Sequence, residues 1–272
     1  MSSMVPNLTR PTVLVFAGLD PSGGAGLSAD ILAIAALGAH ALPVATAITV
    51  QDNDKVHAVE VLDAALVEAQ AMALLKKMQV HAVKIGIPGS AANAAAIARV
   101  IVLLRQRHPA MPVVLDPVLS SGHGDTLSPL AALEHLLPLA SLLTPNLPEA
   151  ALLAGVAGGV EAQGRALQGR CRGDVLITGG HATGADGNQV VNRWFGAAAS
   201  RSWAWPRLAG AFHGSGCTLA AAIAARLACG DAMASALDAA QRYTHEALAD
   251  SFSIACGQRI PARCHAQTEQ FL

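Results

Sequence analysis

Residues 12–37 read TVLVFAGLDPSGGAGLSADILAIAAL and contain one complete unit of a repeating pattern. Thr12 to Gly18 is apolar throughout, not alternating, and lies between Pro11 and the turn Asp20-Pro21-Ser22-Gly23-Gly24. That combination predicts a β-strand covered on both faces. A helix is predicted from about Gly26 to Leu37, with Gly38 as its stop. A strand of this type feeding a helix is the building block of a parallel sheet.

The block recurs along the chain. Leu42 to Val50 is a second apolar run, closed by the polar turn Gln51-Asp52-Asn53-Asp54. Helical periodicity covers Ala64 to Met78, a strand His81 to Gly86, and a helix Ser90 to Arg107. Pro112 to Asp116 (PVVLD), Leu142 to Thr144 and Asp174 to Thr178 (DVLIT) are further short apolar strands. Asn146 and Glu149 have the spacing of a capping box at the start of a helix. Gln189 to Phe195 and Ser202 to Trp205 predict a hairpin at a sheet edge, before two final helices. The expected architecture is an open, doubly wound α/β domain: a mostly parallel central sheet with helices on both faces.

Composition narrows the function. With 272 residues and 53% hydrophobic composition the chain can bury a large core, and no Pro/Gly/Ser-rich linker divides it. A single domain over 1–272 is expected, with 1–11 and about 254–272 flexible. Lys+Arg 18 against Asp+Glu 19 gives a net charge of -1, and no basic run exceeds Lys76-Lys77, so no nucleic-acid partner is expected. No export pattern and no membrane-length apolar stretch occur, so no membrane partner is expected either. Five cysteines without C-x-x-C spacing fit reduced thiols and a cytoplasmic location.

In such sheets ligands bind beyond the carboxyl ends of the strands, where the connecting turns converge. Phe212 to Ala225 (FHGSGCTLAAAIAA) is a glycine-rich turn leading into a helix from about Cys217 to Ala228. Gly214 and Gly216 let the backbone approach an anion closely, and the helix N-terminus adds its unsatisfied N–H groups and dipole. A helix terminus also lowers a thiol pKa, which singles out Cys217, although cysteine is equally a small buried residue. The turn Asp20 to Gly26 lacks the G-x-G-x-x-G spacing of a dinucleotide site. It fits either a close approach to a small flat ligand or a plain strand-to-helix turn. Asp116 is positioned for Mg²⁺ or its waters, or is an Asp-Pro turn residue. Asn146 and Glu149 are explained locally by capping. The Gln51 amide has the donor and acceptor to read a heteroaromatic edge, and is equally suited to a surface.

AGLDPSGGAGLSADI (17–31), LLTPNLPEA (142–150), VLITGGH (175–181) and HGSGCTLAAAIAA (213–225) together resemble the hydroxymethylpyrimidine/phosphomethylpyrimidine kinases of thiamine biosynthesis. These are ribokinase-like vitamin kinases, and the similarity spans about residues 12 to 250. The resemblance implies ATP- and Mg²⁺-dependent phosphorylation of 4-amino-5-hydroxymethyl-2-methylpyrimidine, then of its monophosphate to the pyrophosphate, by a homodimer. It implies that Gln51 reads the pyrimidine, with Gly18, Asp20, Ala25, Thr49, Ile87 and Val118 lining its pocket. It implies that Gly214, Ser215, Gly216 and Cys217 form the catalytic anion hole, that Asp116 and Glu149 handle Mg²⁺, and that Asn146, Thr178 and Gly180 meet the nucleotide. A pyridoxal kinase and a non-catalytic pyrimidine-binding domain are the alternatives. The chain departs from the pattern where relatives carry lysines: the loop Ser120 to Asp125 has His123, and Thr178 precedes Gly-Gly-His. The missing charges bear most on the second transfer, whose acceptor already carries phosphate.

Overall fold

The structure is a computed structural model that describes residues 10–119, 129–181, 188–197 and 199–264. The first predicted strand forms β1 (Thr12–Leu19), with every side chain from 13 to 17 buried. It lies inside the sheet, parallel to β2 (His40–Gln51) on one side and β4 (Ala82–Ile85) on the other. β5 (Val113–Leu115), β6 (Leu142–Leu143) and β7 (Asp174–Ile177) continue the parallel ladder from β4. Both edges are antiparallel. β3 (Val56–Val61) folds back on β2, and the predicted hairpin, β8 (Gln189–Phe195) and β9 (Ser200–Pro206), extends the sheet from β7. The nine strands among the described residues run in the order β3-β2-β1-β4-β5-β6-β7-β8-β9.

The unbroken apolarity of the inner strands follows from what covers them. Val13, Val15 and Ala17 pack under α1 (Gly26–Ala36), α7 (Ser215–Ala228) and α8 (Met233–Ala249). Leu14 and Phe16 point the other way, into a core shared with α2 (Ala64–Leu75), α3 (Ala91–Arg107), α4 (Leu130–Leu133), α5 (Leu147–Ala154) and α6 (Val160–Gln168). Neither face is wet, so neither needs polar residues. α7 is buried nearly all round, from Thr218 to Ala225, and its alanines let it pack closely between α1 and α8. Among the described residues no helix is long and apolar enough to cross a membrane.

Some expectations need correction. β3, α4 and α6 were not anticipated. β3 is exposed at most of its positions, so it carries no burial pattern to read. α7 begins at Ser215, two residues before the predicted Cys217, because Gly216 is already helical. The chain after about 254 is not a loose tail as far as 264. Phe252 pairs with Ile260, Arg259 bridges to Phe212, and Ile260 and Arg263 are 5% and 2% exposed.

Because β1 leads outward to β2 and the chain returns to β4 on the opposite side, the connections diverge at the carboxyl ends of β1 and β4. A crevice opens at such a point.

Candidate active site

A cavity of about 980 Å³ occupies that crevice, and every residue singled out from the sequence lines it: Gly18, Asp20, Ala25, Thr49, Gln51, Ile87, Asp116, Val118, Asn146, Glu149, Thr178, Gly180, Gly214, Ser215, Gly216 and Cys217. The loop Ser120 to Asp125, with His123, lies outside the described residues.

One wall is the start of α7. Its N-cap, Gly214, has φ 75°, and a Cβ there would stand 2.1 Å from the Gly24 carbonyl oxygen. Only glycine satisfies both conditions. No side chain caps the helix, and the N–H groups of residues 214 to 217 donate to no protein acceptor among the described residues. The second glycine of the pair has a different role. A Cβ on Gly216 would meet nothing nearer than the Asp116 carboxylate, at 3.9 Å, so its missing side chain leaves open space between α7 and Asp116.

The Gly-rich turn after β1 is built around Asp20. Its Oδ1 accepts from Ser22 N (2.8 Å), and its Oδ2 accepts from Ala25 N (2.7 Å) and contacts His213 Nε2 at 2.8 Å. Burial alone would raise the Asp20 pKa, but the hydrogen bonds from His213 and Ser22 outweigh it and the net shift is downward. Asp20 therefore lines the cavity while its carboxylate is committed to holding the turn against His213.

Cys217 corrects a sequence-based expectation. Its thiol is pushed up to about 12, first by burial and then by Asp116 and Asp30, against which Lys84 pulls the other way. The thiol stays protonated beside the Asp116 carboxylate. The helix terminus does not make it a thiolate.

Asp116, just past β5, has a buried Oδ2 with no hydrogen-bond partner among the described residues, and burial raises its pKa to about 6. Glu149 rises to about 7, again through burial and then through repulsion by Asp116. Two buried carboxyl groups with raised pKa values, Asp116 disfavouring the ionisation of Glu149, are a fitting donor set for a divalent cation. No group of three or more His, Cys, Asp or Glu residues clusters among the described residues, so ligand oxygens and water would complete the coordination, as is usual for Mg²⁺. Glu149 also closes the capping box: its Oε2 accepts from Asn146 N, and Asn146 Oδ1 accepts from Glu149 N, both at 2.9 Å. Beneath these groups Lys84 on β4 donates to Asp30 Oδ2 at 2.8 Å, with both side chains wholly buried. Burial would lower the Lys84 pKa, but the negative charges of Asp30 and Asp116 outweigh it, so the cation persists at the cavity floor.

At one end of the cavity Gln51, at the close of β2, makes no side-chain hydrogen bond among the described residues, while Thr49 Oγ1 donates to Leu19 O (2.9 Å) and fixes the neighbouring strand end. At the other end Thr178 bridges to Asn146, and the Gly180 carbonyl accepts from Arg207 Nη1 at 3.0 Å. Trp205 stacks on His245 there, ring centroids 5.0 Å apart, giving a flat apolar wall. The sequence reading missed Lys84, His213, Trp205, His245 and Arg263. Of these only Lys84 carried a local signal, as a lone cation inside the apolar strand AVKI.

Comparison with known proteins agrees with this geometry. The sequence profile of phosphomethylpyrimidine kinase matches residues 20–261. A hydroxymethylpyrimidine/phosphomethylpyrimidine kinase of Rhizobium meliloti is 39% identical over 261 residues, covering 90% of this chain and 93% of its own. The crystal structure of phosphomethylpyrimidine kinase from Clostridium difficile superposes with a TM-score of 0.73 at 31% identity, over 88% of this chain and 99% of that one. Staphylococcus aureus pyridoxal kinase in complex with AMP-PCP and pyridoxal superposes with a TM-score of 0.81 at 26% identity, over 94% of both chains. By sequence and by fold, this chain belongs to the phosphomethylpyrimidine kinase family.

Proposed function

We propose that this protein transfers the γ-phosphoryl group of ATP to the hydroxymethyl oxygen of 4-amino-5-hydroxymethyl-2-methylpyrimidine, and then a second phosphoryl group to the monophosphate. The observation that carries the reading is the pairing, across one cavity, of open N–H groups at residues 214 to 217 with the Asp116–Glu149 pair. Family membership and the likeness to kinases support it. In each transfer a bond forms between the acceptor oxygen and the γ-phosphorus, the bond from that phosphorus to the β–γ bridging oxygen breaks, and ADP leaves. The transition state is loose, so positioning and charge stabilisation outweigh base strength.

The α7 amides receive the transferring group, and Lys84 offsets negative charge from below. Asp116 and Glu149 would hold Mg²⁺, which when bound neutralises phosphate oxygens. Cys217 remains a thiol throughout; in the first transfer it orients the acceptor hydroxyl, whose proton passes late to a phosphoryl oxygen and then to water, and in the second the acceptor is an already anionic phosphate oxygen. Gln51 reads the amino and ring nitrogens of the pyrimidine, with Gly18, Ala25, Thr49, Ile87 and Val118 around it and Asp20 holding the turn. Asn146, Thr178 and Gly180, beside the Trp205–His245 wall, receive the nucleotide. A homodimer is supported by the exposed apolar side chains Leu19, Ile48 and Val50 on paired strands, and a cytoplasmic location by five unpaired cysteines.

Pyridoxal phosphorylation is the second reading, favoured by the close superposition on pyridoxal kinase. A coupled ADP-release assay with the pyrimidine, its monophosphate and pyridoxal decides between them. Turnover of the first two, with pyridoxal far behind, is expected. Preferential turnover of pyridoxal would replace the substrate assignment. Binding of the pyrimidine without ADP release would make the chain a binding module.

A further inference from the structure

We infer that Arg263 is a positioning residue for phosphoryl transfer, delivered to the back of the α7 anion cradle by the segment that follows α8. That segment is fastened at several points. Phe252 and Ile260 exchange backbone hydrogen bonds, Arg259 O accepts from His213 N (2.9 Å), and Arg259 N donates to Ala211 O (2.8 Å). Asn53, in the turn after Gln51, donates to the carbonyls of Cys256 and Gln258, each at 3.0 Å.

The Arg263 side chain then enters the interior, 2% exposed, with its own carbonyl held by Tyr243 Oη at 2.7 Å. Its Nη2 donates to Gly24 O (2.5 Å) and reaches His213 O and Gly214 O, each at 3.4 Å. Its Nε donates to Thr218 Oγ1 (2.9 Å), which itself donates to Gly214 O (2.8 Å). One planar guanidinium thus spans the turn after β1 and the start of α7.

Peptide planarity turns this contact into aim. A C=O and the N–H of the next residue point in opposite directions, so drawing the carbonyls of 213 and 214 onto Arg263 directs the amides of 214 and 215 away from it, toward the cavity they line. The same cation is buried, with Nη1 unpartnered among the described residues and within electrostatic reach of Asp20 and Asp30. A buried charge of this kind is weak as a stabilising device, since apolar packing serves as well. Its placement behind the only uncapped stretch of four amides on α7 is accounted for by the amides' task.

The inference rests on the proposed function for its kinetics, and the test separates the two. Arg263→Ala and Arg263→Lys are compared with the parent for kcat, for both KM values and, in ligand-free protein, for amide hydrogen exchange at 214–217, all well below each variant's Tm. Arg263→Ala is expected to lower kcat on the order of 10-fold or more by misaiming the amides. Both KM values should change less than about threefold, which marks a transition-state effect. Exchange at 214–217 should quicken. Arg263→Lys keeps the charge but not the fork, so it should recover only part of kcat. A lowered Tm with kcat within about twofold of the parent would reduce Arg263 to a structural latch and overturn the inference. Should Arg263→Ala not fold, Arg263→Lys decides: unchanged kcat and exchange overturn the inference, and a fall in kcat with faster exchange upholds it. A parent without turnover would defeat the proposed function instead, and the exchange comparison would still stand.

Discussion

Of the helix N-termini that line the cavity, those of α5 and α7 are finished in opposite ways. α5 is closed by its own side chains, through the reciprocal Asn146–Glu149 capping box. α7 is closed by nothing, with a left-handed glycine where a capping side chain would sit. α2 and α3 use Asp63 and Ser90 as ordinary caps. The four donors at the start of α7 line the cavity, where water or an arriving ligand can satisfy them. The closed end holds a carboxylate within repulsive reach of Asp116 and suits a cation. In the proposed reaction, a phosphoryl group and its metal would be met by complementary termini.

The sharpest way to break this contrast is to fill the open end. Gly216→Val places side-chain bulk between α7 and Asp116, where the structure has free space. It should lower kcat on the order of 10²-fold or more, the scale of lost oxyanion-type donors. Circular dichroism and Tm should change little, because the position is exposed. A kcat near that of the parent would mean that phosphate is bound elsewhere.

The closed end is tested through its acids. Asp116 and Glu149 have folded-state pKa values raised to about 6 and about 7. A carboxyl raised in the folded state contributes stability that is complete below its unfolded pKa and is lost as pH climbs through the folded one. Metal-free protein should therefore lose Tm between roughly pH 4 and 7 from this pair, and Mg²⁺ should restore more Tm at pH 8 than at pH 5.5. Asp116→Asn should flatten both trends and raise the Mg²⁺ needed for half-maximal rate on the order of 10-fold. Mg²⁺ stabilisation that is independent of pH would remove the metal from this site.

Cys217→Ala leaves the amides in place and should cost only a few-fold in kcat, well short of the roughly 10² or more of a general base. A loss on that larger scale, with structure intact, would make the thiol the proton acceptor. The smallest effect is expected at the cap. Asn146→Ala should destabilise the fold by about 1 kcal/mol in chemical denaturation while kcat changes little. A collapse of kcat at unchanged stability would show that Asn146 serves the nucleotide before it serves α5.

What could be read in advance follows from how far each signal reaches along the chain. TVLVFAG, PVVLD and DVLIT were legible because strands buried on both faces must be apolar throughout. The capping box was legible because its partners are three residues apart. β3 escaped because an edge strand exposed at most positions has no pattern to impose. The Cys217 thiol was misjudged because its helix terminus is local in sequence, whereas the burial, Asp30 and Asp116 that hold it protonated come from other elements. Lys84 did announce itself, as a cation in a strand with no exposed face, but its partner Asp30 lies 54 residues away. Arg263 had no signal at all in its own neighbourhood.

The contact between Arg263 and Gly24 joins residues 239 apart in sequence. During synthesis, β1 emerges early and can wait for β2 and β4, but the cradle cannot be fastened until the final helices and the segment beyond them have left the ribosome. Contacts of such span are made late and slowly. A nascent chain arrested just short of residue 263 can hold its sheet, both apolar cores and most of its cavity, and still lack the fastening behind α7. In the proposed reaction, phosphoryl transfer would then become efficient only once Arg263 has reached α7, so that the catalytic turn reports the arrival of a side chain 239 residues away from its partner.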